Sequence, residues 1–518
     1  MLRPGPAVSF VHDPGVRPAA FTAAGAPGLT QIAGLMIRRT FGVHAALAAA
    51  LLLPAPSRAQ QPVPARGDTL VMSLEDALGR ALAGGDEVRL AESRRSAASA
   101  QLGQARASGL PQLRMNTAFT HVYENARAQA VGQIFNQPNT YNVNFNLNVP
   151  LFQGGRVGAG LRAASRLRGA ATADVEQARA DVTVTLLGAY LDALLAERLV
   201  DIQREQVRLA DDRVRQMEQM ERAGRASRYE VLRARVERSN LEPAAIQAAG
   251  DLEVALLEVK RLANLPAEQP LRLVSAITPE AVTALAQGAE GAGPAADSAA
   301  IAALPAVRAA ELRAQASRAG VSVARADYLP TVSVFLQSGW QAFPTGWSFP
   351  TSRGGLSPVA CPPGSEADRV CTQQNGGWFT DRSAGLQLSW PVFDGLRTRS
   401  NVALARAQAD IAAAQAAQAR EAAAVQLAQA RANLARARAQ FNATRQTTAE
   451  AAEAFRLASL RFNRGLSTQL DVSDAQLALA TARTNEARAT YDLYLATAEL
   501  ARARGRAVPL PGAAPNTR

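Results

Sequence analysis

The residues that could carry chemistry are few, and their spacing assembles no catalytic site. The chain has three histidines and two cysteines, and His12 and His44 lie near its start. Zinc sites and Cys–His nucleophile pairs need such side chains in groups. No metal site, cofactor or catalytic residue is therefore predicted, which argues against most enzyme classes. Chemistry that uses carboxylates alone stays open at this point.

Three carboxylates draw attention because each follows a glycine that separates two long helical patterns. Glu230 lies six positions after Gly224, and Asp471 lies six positions after Gly465. Asp474 follows nine positions after Gly465, one helical turn beyond Asp471. The two glycines are interpreted as turns between a long helix and its return helix.

Helix capping offers a structural reason for two of these carboxylates. A hydroxyl residue stands three positions before each, Ser227 before Glu230 and Thr468 before Asp471. That spacing is the capping-box pattern of a helix start. Capping accounts for Glu230 and Asp471 but does not explain Asp474.

Composition favours long helices that pack side by side. The chain is rich in alanine and arginine, and only 5% of its residues are aromatic. Alanine favours helix while burying little apolar area, so a large globular core would be poorly supplied. The formal charge is +12. The arginines are spread among acidic and amide residues without a basic cluster, so no nucleic-acid partner is predicted.

The N-terminal segment has the features of an export signal. Two arginines precede an apolar run at 45–53, and small residues lead up to Ala59. Residues 1–59 are interpreted as a misassigned start followed by a signal peptide. No later stretch of about 20 apolar residues follows, so no transmembrane helix is predicted, and any membrane crossing would use strands.

The remainder of the chain is a tandem duplication. The sequence NVPLFQG at 148–154 recurs as SWPVFDG at 389–395, and the glycine turns recur at the same offset of 241 positions. The predicted divisions are a first repeat at 60–266, a linker at 267–304, a second repeat at 305–506 and a disordered tail at 507–518. The predicted strand–helix junctions are Pro150, Phe152, Gly154, Pro391, Phe393 and Gly395.

Each repeat is predicted to contain a helix, a β-hairpin, a long helix and a return helix. The long helix from 155 to 223 would measure about 100 Å at 1.5 Å per residue. A heptad series begins Leu427, Leu434, Phe441, with a small residue three positions after each member. One large and one small residue per heptad is typical of a coiled-coil seam.

The hairpin strands alternate in a way that suits a membrane. Apolar residues alternate with asparagines from Tyr141 to Val149, and Ala384 to Trp390 alternates similarly. An ordinary half-buried sheet would alternate too, but these polar faces carry hardly a charge, and about 9–11 residues is the length of a membrane-spanning strand. Four strands cannot close a barrel, since about eight is the minimum. Either the chain oligomerises or the barrel interpretation fails.

With the duplication, the junctions and the glycine turns together, the chain resembles the TolC-like outer-membrane efflux family over about residues 70–506. The resemblance implies an α+β membrane protein whose homotrimer forms a twelve-stranded outer-membrane barrel, four strands per chain, continued by a long α-helical coiled-coil periplasmic tunnel. It implies a passive exit duct for small molecules. The implied partners are outer-membrane lipid, a periplasmic adaptor (membrane fusion protein) and an inner-membrane transporter.

The resemblance also implies roles for the carboxylates. The family's periplasmic entrance carries acidic rings after the second-repeat turn, and Gly465, Asp471 and Asp474 match that pattern. Glu230 is grouped with them as a candidate entrance residue from the first repeat. Some members close the entrance with an arginine near the turn, where this chain has Ser467.

The loop between the second pair of strands contains both cysteines. Cys361 and Cys371 stand ten positions apart, and a disulfide between them is expected in an exported protein. The loop's tryptophans either join an interfacial belt or pack the loop. Two alternatives stay open for the function: a type I protein-secretion duct, and a periplasmic coiled-coil adaptor without a pore. The duplicated junctions count against the adaptor.

Overall fold

The structure is a computed structural model, and it describes residues 69–124, 126, 137–274, 277–288, 294–344, 346–359 and 371–509. The predicted signal peptide, Cys361 and residues 510–518 of the predicted tail lie outside the described residues. At the start of that tail, Val508 packs against the core and the backbone carbonyl of Pro509 accepts a hydrogen bond from the Tyr494 hydroxyl at 2.9 Å. Residues 507–509 therefore depart from the prediction of a disordered tail.

The long helices confirm the tandem repeat. Both long helices have 67 residues, both return helices have 35, and each boundary recurs 241 positions later. Their bounds are Arg156–Arg222 for α3, Arg228–Leu262 for α4, Arg397–Asn463 for α8 and Gln469–Ala503 for α9. At 1.5 Å per residue, a 67-residue helix is about 100 Å long, as the sequence predicted.

The heptad seam is also confirmed. Leu427, Leu434 and Phe441 are buried, together with the small residues Ala430 and Ala437. Small side chains let neighbouring helices approach closely while the large ones fill the gaps between them.

The first predicted helix is two helices, and its single-helix prediction was wrong. Helix α1 covers Leu74–Gly84 and α2 covers Asp86–Ala107. Gly85 between them is extended, with ψ at 139°, and a Cβ there would lie 2.3 Å from the carbonyl oxygen of Ala81. The corresponding helix of the second repeat, α7, is continuous over Pro305–Arg325 and ends in a 3-10 turn at Ala326–Tyr328.

The predicted linker at 267–304 is part of the core. It contains strand β4 (Leu271–Leu273) and helices α5 (Pro279–Gly288) and α6 (Pro294–Ala303). Strand β4 pairs in parallel with β1 (Leu70–Met72). The apolar residues of the 267–304 segment belong to the same core cluster as Tyr190, Leu493 and Tyr494, which are fully buried. This unit therefore covers one face of the helices α3 and α9.

The four predicted strands form one antiparallel sheet. The strands are β2 (Gln112–His121), β3 (Asn139–Gln153), β5 (Thr331–Ala342) and β8 (Trp378–Ser389). Their order is β2-β3-β5-β8, so β2 and β8 are the edges. A separate hairpin, β6 (Leu356–Val359) and β7 (Cys371–Gln374), lies in the long loop before β8.

The register separates an apolar face of the sheet from a polar face. Leu113 lies opposite Leu147, which lies opposite Leu336. On the other face, Asn144 lies opposite Gly339, and a Cβ at Gly339 would lie 1.9 Å from the side-chain oxygen of Asn144. A glycine is needed there because the asparagine side chain lies over it.

No helix in the described ranges combines the length and the apolar character needed to span a membrane.

The disulfide stays a prediction, because Cys361 lies outside the described residues. We expect mature protein, denatured without reductant, to contain no thiol that reacts with a thiol reagent. The matched control is the same protein after reduction, which should show two reactive thiols. Two thiols before reduction would contradict the bridge.

Candidate functional site: the helical turns opposite the sheet

Each long helix ends about 100 Å from the sheet in a turn centred on a glycine. Gly224 and Gly465 have φ values of +69° and +73°, in the left-handed region that favours glycine. After each glycine, a backbone N–H returns to the end of the long helix. Arg225 donates to the Met220 carbonyl at 2.7 Å, and Leu466 donates to the Arg461 carbonyl at 2.9 Å. Both turns are thus sharp C-terminal caps.

The two capping boxes are present as the sequence predicted. Glu230 accepts from the backbone N–H of Ser227 at 2.7 Å, and Asp471 accepts from the backbone N–H of Thr468 at 2.8 Å. The Ser227 and Thr468 hydroxyls accept in return from the backbones of Glu230 and Asp471. Each pair satisfies two helix-end donors.

The cap lowers the pKa of Asp471. The main cause is the hydrogen bond from the Thr468 backbone, followed by that from the Thr468 hydroxyl. Because the pKa is lowered, the cap stabilises the helix start above the ordinary carboxyl value of 3.8, and this contribution is lost as the pH falls through the lowered pKa. Asp471 is therefore ionised at neutral pH.

Asp474 is exposed, and it takes no part in the capping box of its helix, which Thr468 and Asp471 form. It lines a groove of about 450 Å³ between α3, α4 and α9. No hydrogen bond or ion pair to Asp474 is found in the part of the chain that the structure describes. Its carboxylate is therefore available to solvent and to solutes beside the turn.

A cluster of polar contacts beside this groove joins the two repeats, and sequence reasoning missed it. We call Arg213, Glu237, Gln469 and Ser473 the inter-repeat contact cluster. Arg213 donates from Nη1 to the Gln469 carbonyl at 3.5 Å. Glu237 accepts from Ser473 Oγ at 3.2 Å and from Gln469 Nε2 at 3.4 Å. Nothing in the type or spacing of Arg213 separates it from the chain's many other helical arginines.

Burial has an energetic cost at two points of the cluster, the Arg213 guanidinium and the Gln469 side-chain oxygen. Burial lowers the pKa of Arg213, while the charge of Glu237 opposes that shift. The Arg213 guanidinium also lies 5.9 Å from the centre of the Phe462 ring. The side-chain oxygen Oε1 of Gln469 is buried without a partner among the described residues. A buried acceptor without a partner costs about 1–3 kcal/mol, so this oxygen reduces the stability that the cluster contributes.

The strand–helix junctions have strict conformational requirements. Gly154 has a φ of +60°, and a Cβ there would lie 2.4 Å from the Ala326 carbonyl oxygen. The pairing of β3 with β5 shifts between Pro150 and Phe152. In the second repeat, Gly395 has a φ of +68°, and Pro391 and Phe393 precede it in the same order.

Gly154→Ala is expected to disrupt the first junction. A non-glycine residue at positive φ costs about 1–2 kcal/mol, and the Cβ must also displace a backbone oxygen. We expect a reduced fraction of protease-resistant protein in membrane extracts. The control is Gly160→Ala, six positions along in α3, where a Cβ meets nothing within 4 Å. Equal resistance of the two variants would contradict the prediction.

In the described part of the chain, no group of three or more His, Cys, Asp or Glu residues is placed to hold a metal ion.

The fold is shared with solved structures of outer-membrane proteins. VceC from Vibrio cholerae is 19% identical, with a TM-score of 0.65 over 84% of this chain and 97% of that one. The CmeC outer membrane channel of Campylobacter jejuni is 18% identical, with a TM-score of 0.67 over 83% and 85%. The open state of the MtrE outer membrane channel of Neisseria gonorrhoeae is 19% identical, with a TM-score of 0.60 over 84% and 89%. No curated protein sequence matches the chain.

The sequence itself matches a family model described as "Outer membrane efflux protein" over residues 77–265 and 298–506. This is more than half of the chain, so it does not support the alternative of an adaptor without a pore. The repeat architecture, the four-stranded sheet and this match lead to one conclusion. The chain belongs to the outer membrane efflux protein family, and it is a non-enzymatic efflux channel of the outer membrane whose helical part lies in the periplasm.

Proposed function

We propose that three copies of this chain close a twelve-stranded barrel in the outer membrane and that their helices continue it as a periplasmic tunnel. The observation that carries this proposal is the open sheet. Strands β2 and β8 each have one edge without a strand partner among the described residues. An exposed edge invites pairing with another strand, and closure of a barrel removes the edge.

The apolar face of the sheet has the height of a membrane. Aromatic residues mark both of its ends, with Tyr141 and Trp378 at one end and Phe152 and Trp390 at the other. Along β3, the 11 residue steps from Tyr141 to Phe152 span about 36 Å, or about 26 Å in height at a tilt of 45°. On β8 the same face carries Arg382 near its Trp378 end. The height along β3 matches an apolar band of about 25 Å between aromatic girdles. It supports outer-membrane lipid as a partner.

The loop aromatics support the interfacial belt over simple packing of the loop. The ring of Phe349 lies 5.4 Å from Tyr141 and 5.8 Å from Trp378, measured between ring centres. Phe349 and Trp347 both stay largely exposed. Because Tyr141 and Trp378 belong to the apolar face, these loop rings extend that face outward, as a belt residue would.

We further propose that the channel is the passive exit of a three-part pump for small molecules, completed by a periplasmic adaptor and an inner-membrane transporter. Asp471, Asp474 and Glu230 stand at the turns farthest from the sheet, where solutes would enter. Three chains would bring nine such carboxylates together, enough to attract cations. The inter-repeat contact cluster would hold the second-repeat turn against the first-repeat helical hairpin and so keep the entrance narrow.

The first test is membrane fractionation followed by the mass of the detergent-extracted oligomer. A trimer in the outer-membrane fraction supports the proposal, and a soluble periplasmic species would overturn it. Deletion of the gene tests whether the cargo is a small molecule or a protein. Increased sensitivity to toxic small molecules supports the small-molecule pump, whereas loss of a secreted protein with unchanged sensitivity would favour the type I secretion duct.

A further inference from the structure

The two β-hairpins of the sheet have the same strand register when the residues of one repeat are matched to those of the other. Gln112 pairs with Asn148 in the first repeat, and Thr331 pairs with Ser389 in the second. The first strands of the repeats therefore correspond at a spacing of 219 positions, and the second strands at 241 positions. All ten pairs of the first hairpin map onto observed pairs of the second under these two spacings.

One further pairing joins the two repeats. Strand β3, the second strand of the first repeat, pairs with β5, the first strand of the second repeat. Its pairs include Phe145 with Ser338 and Val149 with Val334. The counterpart of this pairing would join β8 to the first strand of a following repeat. The described part of the chain contains no such strand, so β8 and β2 are left as edges.

A difference in length between β3 and β8 marks where the counterpart is missing. Strand β3 runs to Gln153, whereas β8 ends at Ser389, although the residue that corresponds to Gln153 is Asp394. At 149–153, β3 pairs only with β5, and Leu151 lies unpaired at the register shift. The corresponding residues 390–394 lack that partner in a single chain. A missing neighbouring strand accounts for the shorter β8.

We propose that the missing neighbour is strand β2 of the next protomer, in the register that the two spacings dictate. Transferring the β3–β5 pairs by these spacings places Leu386 opposite the partner's Phe119 and Trp390 opposite the partner's Met115. The pairing runs from Arg382 opposite the partner's Tyr123 to Asp394 opposite the partner's Gln112. This inference rests on the proposed trimer and adds its contacts residue by residue.

The side chains agree with this register. Leu386 is 72% exposed and Phe119 is 46% exposed in the single chain, and both lie on the apolar face. Pairing them brings apolar side chains together along the seam. A slip of one residue would set the apolar face of one protomer against the polar face of the next. A slip of two residues would still place apolar side chains opposite apolar ones. The experiment must therefore distinguish the proposed register from registers shifted by two residues.

The test is disulfide cross-linking of the full chain in outer membranes, in a background with Cys361→Ser and Cys371→Ser. The matched pairs are Leu386→Cys with Phe119→Cys, and Gln387→Cys with Ala118→Cys. These pairs lie on opposite faces, so one of them is the closer, non-hydrogen-bonded type. The register controls combine Leu386→Cys with Thr117→Cys and with His121→Cys.

Any disulfide formed here joins two protomers. Within one chain, β2 and β8 lie at opposite edges of a four-stranded sheet, about 14 Å apart at 4.8 Å per strand, which is beyond the reach of a disulfide. A slip of two residues moves the partner Cβ by about 6.6 Å. We therefore expect at least one matched pair to give about ten-fold more covalent dimer and trimer than either control.

The outcomes separate failure of the register from failure of the trimer. More product from a register control would overturn the register while leaving the trimer intact. No covalent product from any pair, in protein that still migrates as a native trimer, would overturn the β8–β2 seam. Protein that is not a trimer before oxidation would overturn the proposed function itself and the seam with it.

Discussion

Arg213→Ala is expected to widen the periplasmic entrance and to raise the conductance of the channel in planar lipid bilayers. The substitution removes the hydrogen bond to the Gln469 carbonyl and the contact with the Phe462 ring. It also removes the attraction between the Arg213 and Glu237 charges, although Glu237 keeps its ion pair with Arg233 at 3.1 Å. Together these losses amount to about 2 kcal/mol, a shift of about thirty-fold in the closed-to-open ratio of each protomer. The expected result is frequent or permanent high-conductance openings.

The matched control for this prediction is Arg215→Ala. Arg215 lies two positions along the same helix, is exposed, and forms its ion pair with Asp212 of that helix. It crosses to no other helix in its observed contacts, so its loss should leave the conductance unchanged. Equal conductance of the two variants would show that the inter-repeat contact cluster does not hold the entrance closed.

Glu237→Gln tests the same cluster from the other side. The amide keeps the shape of the side chain but removes the charge that faces Arg213. We expect a smaller rise in conductance than for Arg213→Ala, and a double variant whose effect is less than the sum of the two, because the residues share contacts. Full additivity would mean that the two residues act separately.

Asp471→Ala combined with Asp474→Ala is expected to weaken the block of the channel by multivalent cations. In the proposed trimer this removes six carboxylates from the entrance. A unit charge about 4 Å away contributes about 1 kcal/mol in water, so the loss of two or more such contacts weakens binding of the blocking cation by about ten-fold or more. The measurement is the concentration of a trivalent cation that halves the single-channel current.

The Asp471 cap makes a second variant necessary. Asp474→Asn changes the groove carboxylate alone and leaves the Thr468–Asp471 capping box in place. It should produce part of the loss of block with no change in channel yield. Glu453→Gln is the charge control, since Glu453 is exposed and pairs with Arg456 on its own helix. Unchanged block in both aspartate variants would refute the assignment of these residues to the entrance.

The amino-acid sequence by itself determined the repeat, the long helices, their glycine turns and the alternating strands. These features depend on interactions between residues a few positions apart. The hydroxyl of Thr468 and the carboxylate of Asp471 are three positions apart and cap one helix start, and Gly465 adopts the φ that only glycine adopts freely. Such signals can be recognised without knowing what packs where.

Only the tertiary structure decided the break at Gly85, the packing of residues 267–304 and the inter-repeat contact cluster. Strand β4 is three residues long, and its place in the core depends on pairing with β1, which is about 200 positions earlier in the chain. Arg213 finds its carbonyl acceptor at Gln469, 256 positions away. An arginine on a helix surface has the same local sequence signature whether it faces solvent or another helix. Its role is therefore set by which helix packs against it, and that information arises only when the two repeats come together.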